Sequence, residues 1–372
     1  MKQRDWYNIV SGGKVGFAAA VLRLLAGIAV CPYSVIVHIR NLLFDKQLFR
    51  SYAVTPVGLK TSDRTQAAVP VISVGNITVG GTGKTPMVIW VCNLLRAKDI
   101  KCAILTRGYK TANSGQYDEP AMLARNCPGA AVVVNPDRLT GAVEAVKRHR
   151  AQVLIMDDGF QHRRLHRDID IVTIDATLPF GYGKMLPAGL LREPVMALKR
   201  VHAVILTRCD LVSKDELAKL AETISGINPD VVVAQTVHAP VCAITTNDKQ
   251  ILLEQLRGKK VFAFCGIANP DAFFATIASL GANVVGSKIY DDHHKYTAAD
   301  TAVIRREATQ LEAEIILTTE KDYSKIAPTR GNSPGLTLAY LAVKIHFVEG
   351  QDRIRQLIER SLAGRITRKR TV

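Results

Sequence analysis

The stretch that most limits the fold of this chain spans Val71–Val91 and reads VISVGNITVGGTGKTPMVIWV. A short β-branched run is followed by Gly80, Gly81 and Gly83, then by Lys84-Thr85 and apolar residues at helical spacing. A strand that ends in glycines and opens into a helix gathers backbone N–H groups around one point, and the helix dipole also favours phosphate there. The pattern therefore predicts a nucleoside-triphosphate site in an α/β fold.

The loop is a variant of the strict phosphate-loop pattern, because Thr78 stands where the first glycine is required. Lys84 would reach the β- and γ-phosphates, and the Thr85 hydroxyl would bind Mg²⁺. A chance Gly-Lys-Thr in a glycine-rich turn is the alternative, and the strand–loop–helix context counts against it. The predicted nucleotide-binding residues are Thr78, Val79, Gly80, Gly81, Thr82, Gly83, Lys84 and Thr85.

The chain has 372 residues, which is longer than one typical domain, so two domains are expected. From Val69 onward, short apolar runs alternate with amphipathic segments, which indicates βαβ units and a parallel sheet. A second alternation follows a boundary marked by Gly226-Ile227-Asn228-Pro229, and its first predicted strand is Val231–Gln235. Earlier predicted strands are Val71–Val74, Ala103–Thr106, Ala131–Val134, Val153–Met156, Ile169–Ile174 and Ala203–Thr207.

From these patterns we predict an α/β protein with a P-loop NTPase domain and a smaller α/β domain, preceded by an N-terminal membrane-associated helix. The predicted bounds are 1–45 for the helical segment, 46–230 for the P-loop domain and 231–372 for the C-terminal domain.

The N-terminal segment contains Leu24–Val37, an apolar run of 14 residues flanked by Arg23, His38 and Arg40. A spanning helix needs about 20 apolar residues, and Pro32 is expected to bend or break a helix here. A basic N-terminus also fits a signal peptide, but no small-residue cleavage site follows the run. We predict a hairpin-like or interfacial membrane anchor; a buried helix of the soluble core is the alternative.

The composition favours anionic partners. Lys and Arg number 49 against 33 acids, a net charge of +16, and the basic residues are scattered, as in a surface field, not gathered in a nucleic-acid-binding arm. Aromatic residues make up 6% of the chain and form no basic strip, so we predict no nucleic-acid partner. We also predict no obligate protein partner. The seven cysteines include no C-x-x-C pair, which indicates reduced core thiols in the cytosol.

Two adjacent carboxylates, Asp157 and Asp158, end the apolar run Val153–Met156. In P-loop folds an acid at the end of a neighbouring strand holds Mg²⁺, although Asp158 could simply cap the next turn. The segment continues through Gln161 and His162 into a cluster of arginines, and cations beside a metal site suit an anionic substrate or a developing phosphoryl charge.

Three further loops carry candidate chemistry. Asp118 precedes a predicted helix, which it could cap or from which it could act in catalysis. A second loop contains Arg192 and Glu193, which are adjacent in the sequence and could form a structural ion pair. His293 and His294 follow two acids, a pattern that allows general-base chemistry or metal binding.

Seven separated motifs together resemble the tetraacyldisaccharide 4'-kinases, the lipid A pathway kinases of Gram-negative bacteria. The motifs are GNITVGGTGKTP, LTRGYK, DEP, DDGFQHRRLHRD, LPAGLLREP, DDHHKYT and TTEKD, in the family order, across roughly residues 15–347. The resemblance implies transfer of the ATP γ-phosphate to the 4'-hydroxyl of tetraacyldisaccharide 1-phosphate, giving lipid IVA. It also implies two α/β/α domains joined by a hinge, and association with the cytoplasmic face of the inner membrane.

The resemblance implies residue roles as well. Asp118 and His293 correspond to the family's catalytic pair, with Lys84 as a further catalytic residue, although His294 is adjacent and either ring could act. The implied cofactors are ATP and Mg²⁺, and the implied membrane partner is anionic lipid. The metal ligands would be Thr85, Asp157, Asp158 and Glu193, and the substrate or phosphate contacts Arg192, Gln161 and His162.

A P-loop GTPase or metallochaperone-type switch is the competing hypothesis. The run Leu206–Asp210 loosely resembles the guanine-reading N-K-x-D element, but Thr207 and Arg208 replace its Asn and Lys. A nucleic-acid-binding ATPase is suggested by charge alone.

Overall fold

The computed structural model describes residues 3–62, 68–108, 118–267, 269–292, 294–326, 336–363 and 365, and describes only the backbone of residues 3, 4, 118 and 119. The chain forms two compact units. We call Asn8–Val237 with Ile345–Val372 the P-loop unit, and Met1–Tyr7 with His238–Lys344 the second unit. The domain bounds at residues 45 and 230 stay a prediction.

A parallel sheet organises the P-loop unit. Its strands are β3 (Val71–Gly75), β4 (Cys102–Thr106), β5 (Ala131–Val134), β6 (Val153–Asp157), β7 (Ile169–Asp175), β8 (Ala203–Thr207) and β9 (Val232–Thr245). They lie in the order β5-β4-β6-β3-β7-β8-β9. The six strands predicted from Val71 to Thr207 are confirmed to within one residue at each end. A short antiparallel pair, β1 (Ala53–Val54) and β2 (Lys60–Thr61), precedes them.

Helices cover both faces of this sheet, so its strands are apolar on both sides, as parallel strands are. One face packs on α3 (Lys84–Arg96), α4 (Asp118–Asn126) and α10 (Gln351–Leu362). The other face packs on α5 (Arg138–His149) and α6 (Lys214–Ile227). Because the side chains of a strand alternate between faces, Ile171 and Ile205 join the first layer while Val172 and Val204 join the second.

The N-terminal apolar run belongs to α2 (Phe17–Asp45), a 29-residue helix that contains Pro32 and follows α1 (Gln3–Val10). The helix continues through Pro32, so the predicted break there and the hairpin-like anchor are wrong, while a bend at Pro32 stays a prediction. The alternative of a buried core helix also fails, since only Ala19, Ala26 and Val37 are buried. The helix is long and apolar enough to cross a membrane by length and composition.

The second unit contains the parallel strands β11 (Lys260–Cys265), β12 (Asn283–Ile289), β13 (Ile315–Thr319) and β14 (Thr337–Glu349). They lie in the order β12-β11-β13-β14, and β10 (Gln250–Ile251) is antiparallel to β9. Its helices are α7 (Pro270–Ser279), α8 (Ala298–Gln310) and α9 (Glu320–Ile326). Strands β9 and β14 each begin in one unit and end in the other; β9 therefore extends well beyond the predicted Val231–Gln235.

The C-terminal α10 completes the core of the P-loop unit, so truncating a buried side chain there should destabilise that unit. Ile358 is 1% exposed in the α3 layer, and Ile358→Ala should lower the free energy of unfolding by about 2–5 kcal/mol. Trp90 contacts Phe347 in the same layer, with ring centroids 4.8 Å apart, so its fluorescence in a Trp6→Phe background reports this unit during urea unfolding. Val348→Ala, at a side chain that is 61% exposed, is the control, and equal shifts in both variants would contradict the packing role.

Candidate active site

The phosphate loop joins β3 to α3, and two of its glycines adopt a backbone conformation that other residues rarely take. Gly80 has φ 114° and Gly83 has φ 86°, and Gly83 caps the helix that begins at Lys84. Thr78 lies in an antiparallel bridge to Leu191 and is 5% exposed. The loop is extended at Thr78 and needs no glycine there, which accounts for the departure from the strict pattern.

Side chains at the ends of β7 and β8 hold the loop. The hydroxyls of Thr82 and Thr173 lie 2.7 Å apart, and the Thr207 hydroxyl donates to the Thr82 carbonyl at 3.1 Å. Arg208 donates to the Gly81 carbonyl at 2.8 Å and pairs with Asp175. Thr207 and Arg208, which loosely resembled a guanine-reading element, therefore bind the loop's own backbone.

Asp158 is the electrostatic centre of the site. Its carboxylate accepts from Arg192 Nη1 at 2.9 and 3.1 Å and lies 3.6 Å from Lys84 Nζ. Burial raises the pKa of Asp158, but the positive charges of Lys84 and Arg192 outweigh it, so the pKa lies below its ordinary value. Three separate sequence motifs thus meet at one ionised carboxylate, in front of the phosphate loop.

The donor set beside the loop suits Mg²⁺. Asp157 ends β6, is 6% exposed and pairs in register with Val74 of β3, one residue before the glycine that ends the strand. Thr85 is the second residue of α3. No three His, Cys, Asp or Glu side chains converge as a metal site within the part of the chain that is described. One or two carboxylates together with substrate phosphates and water are the usual ligands of Mg²⁺ in nucleotide sites.

Asn76, which the sequence did not single out, joins the predicted substrate residues. Its side-chain oxygen accepts from Arg192 at 3.3 Å, and its carbonyl accepts from Gln161 Nε2 at 2.9 Å. The Oε1 atom of Gln161 is buried and has no hydrogen-bond partner among the described residues. Next to it, burial and the positive charges of Arg138 and Arg107 lower the pKa of His162 to about 4, so this ring is neutral at pH 7.

The structure gives Glu193 partners other than a metal. Its carboxylate is fully buried, pairs with Arg40, accepts from Asn41 Nδ2 at 2.7 Å and lies 3.6 Å from Arg200. Glu193 is thus in a structural ion pair, as the alternative proposed, but its partners are Arg40 and Arg200 and not the adjacent Arg192. Its metal role stays a prediction that these contacts do not support.

The predicted catalytic pair can be followed only in part. Asp118 begins α4 in the P-loop unit, but its side chain is outside the described part of the chain. His293 also lies outside the described residues. In the second unit His294 contacts Asp300 at 3.2 Å and stacks on Tyr290, with ring centroids 4.5 Å apart.

The chain has extensive similarity to known proteins. A family model described as LpxK, tetraacyldisaccharide-1-P 4'-kinase, matches residues 21–363. The chain is 39% identical to the tetraacyldisaccharide 4'-kinase of Anaeromyxobacter sp. (strain Fw109-5) over 345 residues, 87% of this chain and 91% of that protein. It is 39% identical to that of Syntrophus aciditrophicus over 323 residues, 80% and 82% of the two chains.

Among solved structures, the chain is similar to LpxK from Aquifex aeolicus, which was crystallised in complex with ATP. The TM-score is 0.68 at 28% identity, over 91% of this chain and 99% of that one.

The lowered pKa of His162 makes a specific prediction for acid stability. The folded state keeps the ring neutral down to about pH 4, whereas the unfolded chain protonates it near pH 6.5. The unfolded state therefore binds more protons between these values, and the free energy of unfolding falls as pH drops, at about 1.4 kcal/mol per pH unit for one proton. His162→Asn should make this fall shallower in urea unfolding between pH 4.5 and 7. The exposed His149→Asn is the control; identical slopes in the variant and the native chain would contradict the buried neutral ring.

Proposed function

Since this chain belongs to the tetraacyldisaccharide-1-P 4'-kinase family, we propose that its phosphate loop and the Asp158 cluster together carry out phosphoryl transfer to the lipid. The chain is an ATP-dependent kinase that phosphorylates the 4'-hydroxyl of tetraacyldisaccharide 1-phosphate to give lipid IVA, a step of lipid A biosynthesis. The observation that carries the site assignment is the convergence of Lys84 and Arg192 on Asp158 in front of the loop.

We assign ATP binding to the loop from Thr78 to Thr85. The N-terminus of α3 and the glycine-rich backbone favour the triphosphate. Lys84 contacts the β- and γ-phosphates and is catalytic in that it neutralises the charge of the transferred group. Its present partner Asp158 keeps the ammonium group in place at the loop before nucleotide arrives.

Mg²⁺ neutralises charge on the phosphates when it is bound. Thr85, Asp157 and Asp158 would hold it, because a hydroxyl and carboxylates next to a phosphate loop are ligands that this cation prefers. Arg192, Gln161 and the neutral His162 contact the transferred phosphate or the lipid's sugar. The Oε1 atom of Gln161, for which the described part of the chain offers no hydrogen-bond partner, suits a hydroxyl donor, such as those of a sugar.

We assign the acceptance of the 4'-hydroxyl proton to Asp118 and His293. A sugar hydroxyl is a weak nucleophile until a base can take its proton, and an Asp-His pair provides one. His293 is preferred over His294, because His294 already contacts Asp300 and stacks on Tyr290.

The outer side of α2 supports an interfacial contact with the cytoplasmic face of the inner membrane. Its exposed apolar residues lie along one side of the helix, and the net charge of +16 attracts anionic lipid. Seven of these side chains are between 52% and 66% exposed: Leu24, Leu25, Ile28, Val35, Ile36, Ile39 and Leu42.

Phosphate transfer tests these assignments directly. The native chain should label tetraacyldisaccharide 1-phosphate from γ-labelled ATP in detergent–phospholipid micelles, with a requirement for Mg²⁺. Lys84→Ala should weaken ATP binding and abolish transfer, because it removes the phosphate contact. Asp118→Ala should keep ATP affinity and lose roughly 100-fold or more in turnover, since general-base catalysis contributes about 10²–10⁴-fold.

Each variant has an outcome that counts against its role. Unchanged ATP affinity in Lys84→Ala would remove Lys84 from the phosphate site. Equal losses of ATP affinity and turnover in Asp118→Ala would make Asp118 structural. Hydrolysis of ATP or GTP without labelling of the lipid would reject the assigned site and favour a switch-type NTPase.

The membrane contact makes a second prediction. Ile28→Asp with Ile36→Asp puts two charges on the exposed side of α2 and should reduce binding to vesicles containing anionic phospholipid by roughly tenfold or more, because each apolar side chain leaves the lipid. ATP affinity should not change. Binding of the native chain should weaken with added salt, since the charges on both surfaces are screened. Val348→Asp, at an exposed apolar residue outside α2, is the control, and vesicle binding that survives the α2 substitutions would exclude this surface.

A further inference from the structure

The inner side of α2 carries polar side chains that reach the loop containing Arg192. Tyr33 donates its hydroxyl to the backbone carbonyl of Arg192 at 3.1 Å. Arg40 pairs with the Glu193 carboxylate, and Asn41 Nδ2 donates to the other carboxylate oxygen at 2.7 Å. At 100° per residue, Tyr33, Arg40 and Asn41 lie within about 100° of one another on the helix. Two consecutive residues of the loop are thus fixed by one side of α2.

The hold on Glu193 is strong because the carboxylate is fully buried. A buried charge needs counter-charges and hydrogen bonds, and removing one partner typically costs several kcal/mol. Arg40 supplies one counter-charge and Arg200, at 3.6 Å, a second. Arg200 is itself fixed, since its guanidinium lies over the Phe160 ring at 3.8 Å from the centroid. Glu193 therefore has little freedom to move while α2 is in place.

Arg192 is the next residue in the chain, and its guanidinium lies at the phosphate site. It donates to Asp158 at 2.9 and 3.1 Å and to Asn76 Oδ1 at 3.3 Å. If Glu193 moves, or if the Arg192 carbonyl that accepts from Tyr33 moves, the Cα atom of Arg192 moves as well, and its side chain with it. The position of the Arg192 side chain at the transferred phosphate therefore depends on where α2 lies against the loop.

We propose that the inner side of α2 positions Arg192 for phosphoryl transfer through Tyr33, Arg40 and Asn41. This inference rests on the proposed function, which puts Arg192 at the phosphate or the sugar. It makes α2 part of the machinery that orders the active site, in addition to its contact with the membrane. Arg40 and Asn41 are positioning residues, because they act through Glu193 and Arg192 and do not contact the substrate.

The test is a double-mutant cycle between Arg40 and Arg192, with turnover measured by transfer of label from γ-labelled ATP to the lipid. Arg40→Met should lower turnover roughly 10- to 100-fold, the loss expected when a catalytic contact is misplaced by about 1 Å. In the Arg192→Met background the same substitution should change turnover less than about twofold, because the residue through which it acts is gone. Arg40→Lys should recover part of the loss, since it restores the charge.

The control is Asp45→Asn, which removes another contact between α2 and the P-loop unit. Asp45 pairs with Arg163 at 2.6 Å and is the last residue of α2, but it has no contact with the Arg192 loop among the described interactions. Turnover in this variant should stay within about twofold of the native chain. Vesicle binding, ATP affinity and thermal stability are measured for every variant. These measurements distinguish a loss of folding or of membrane contact from a loss of turnover.

Two results would overturn the inference: equal losses from Arg40→Met with and without Arg192, or no loss in either background. Should Arg40→Met fail to fold, Tyr33→Phe tests the same idea with the ion pair intact, and its smaller loss of turnover should likewise vanish in the Arg192→Met background. If Lys84→Ala still phosphorylates the lipid, the proposed function fails. If Lys84→Ala is inactive and Arg40→Met is not impaired, only the role of α2 fails.

Discussion

The site depends on the ion pairs of Asp158. A carboxylate largely removed from water is tolerated here because Lys84 and Arg192 offset the cost of burial. The arrangement joins three parts of the chain: the helix after the phosphate loop, the end of β6 with the acids that we propose as Mg²⁺ ligands, and a loop more than thirty residues further along. Both cations are held at the loop before an anion binds, so less side-chain entropy has to be lost on binding.

Different residues hold the phosphate loop in place and face the phosphate. Thr173, Thr207 and Arg208 bind the loop or the strand before it, whereas Lys84 and Thr85 open α3 on the phosphate side. A loop with glycines at positive φ is costly to order, and hydrogen bonds from the neighbouring strands offset part of that cost. Thr78 can replace the first glycine of the strict phosphate-loop pattern because the backbone there is extended and pairs with Leu191.

The sequence allowed the sheet to be predicted because its strands are short apolar runs, and those that begin at Val71 and Val153 end at a glycine or an acid. The two acids at the end of β6 were found for the same reason. The partners of Glu193 were not predictable, since Arg40 and Asn41 lie about 150 residues away and no local pattern links them. Helix α6 begins with a capping box between Ser213 and Glu216, so its N-terminus is marked by a signal that the sequence does carry.

The contacts on the inner side of α2 also bear on the membrane contact that we propose for this helix. Tyr33, Arg40 and Asn41 bind a buried carboxylate and a backbone carbonyl, and surrounding them with lipid would leave those groups without partners at high cost. While Glu193 is held, one side of the helix must stay on the protein, and only the opposite side can enter lipid. This favours a helix lying in the interface over one that crosses the bilayer, even though its length and hydropathy would permit crossing. The contacts that we propose to position Arg192 would then also limit how deeply α2 can enter the bilayer that holds the lipid substrate.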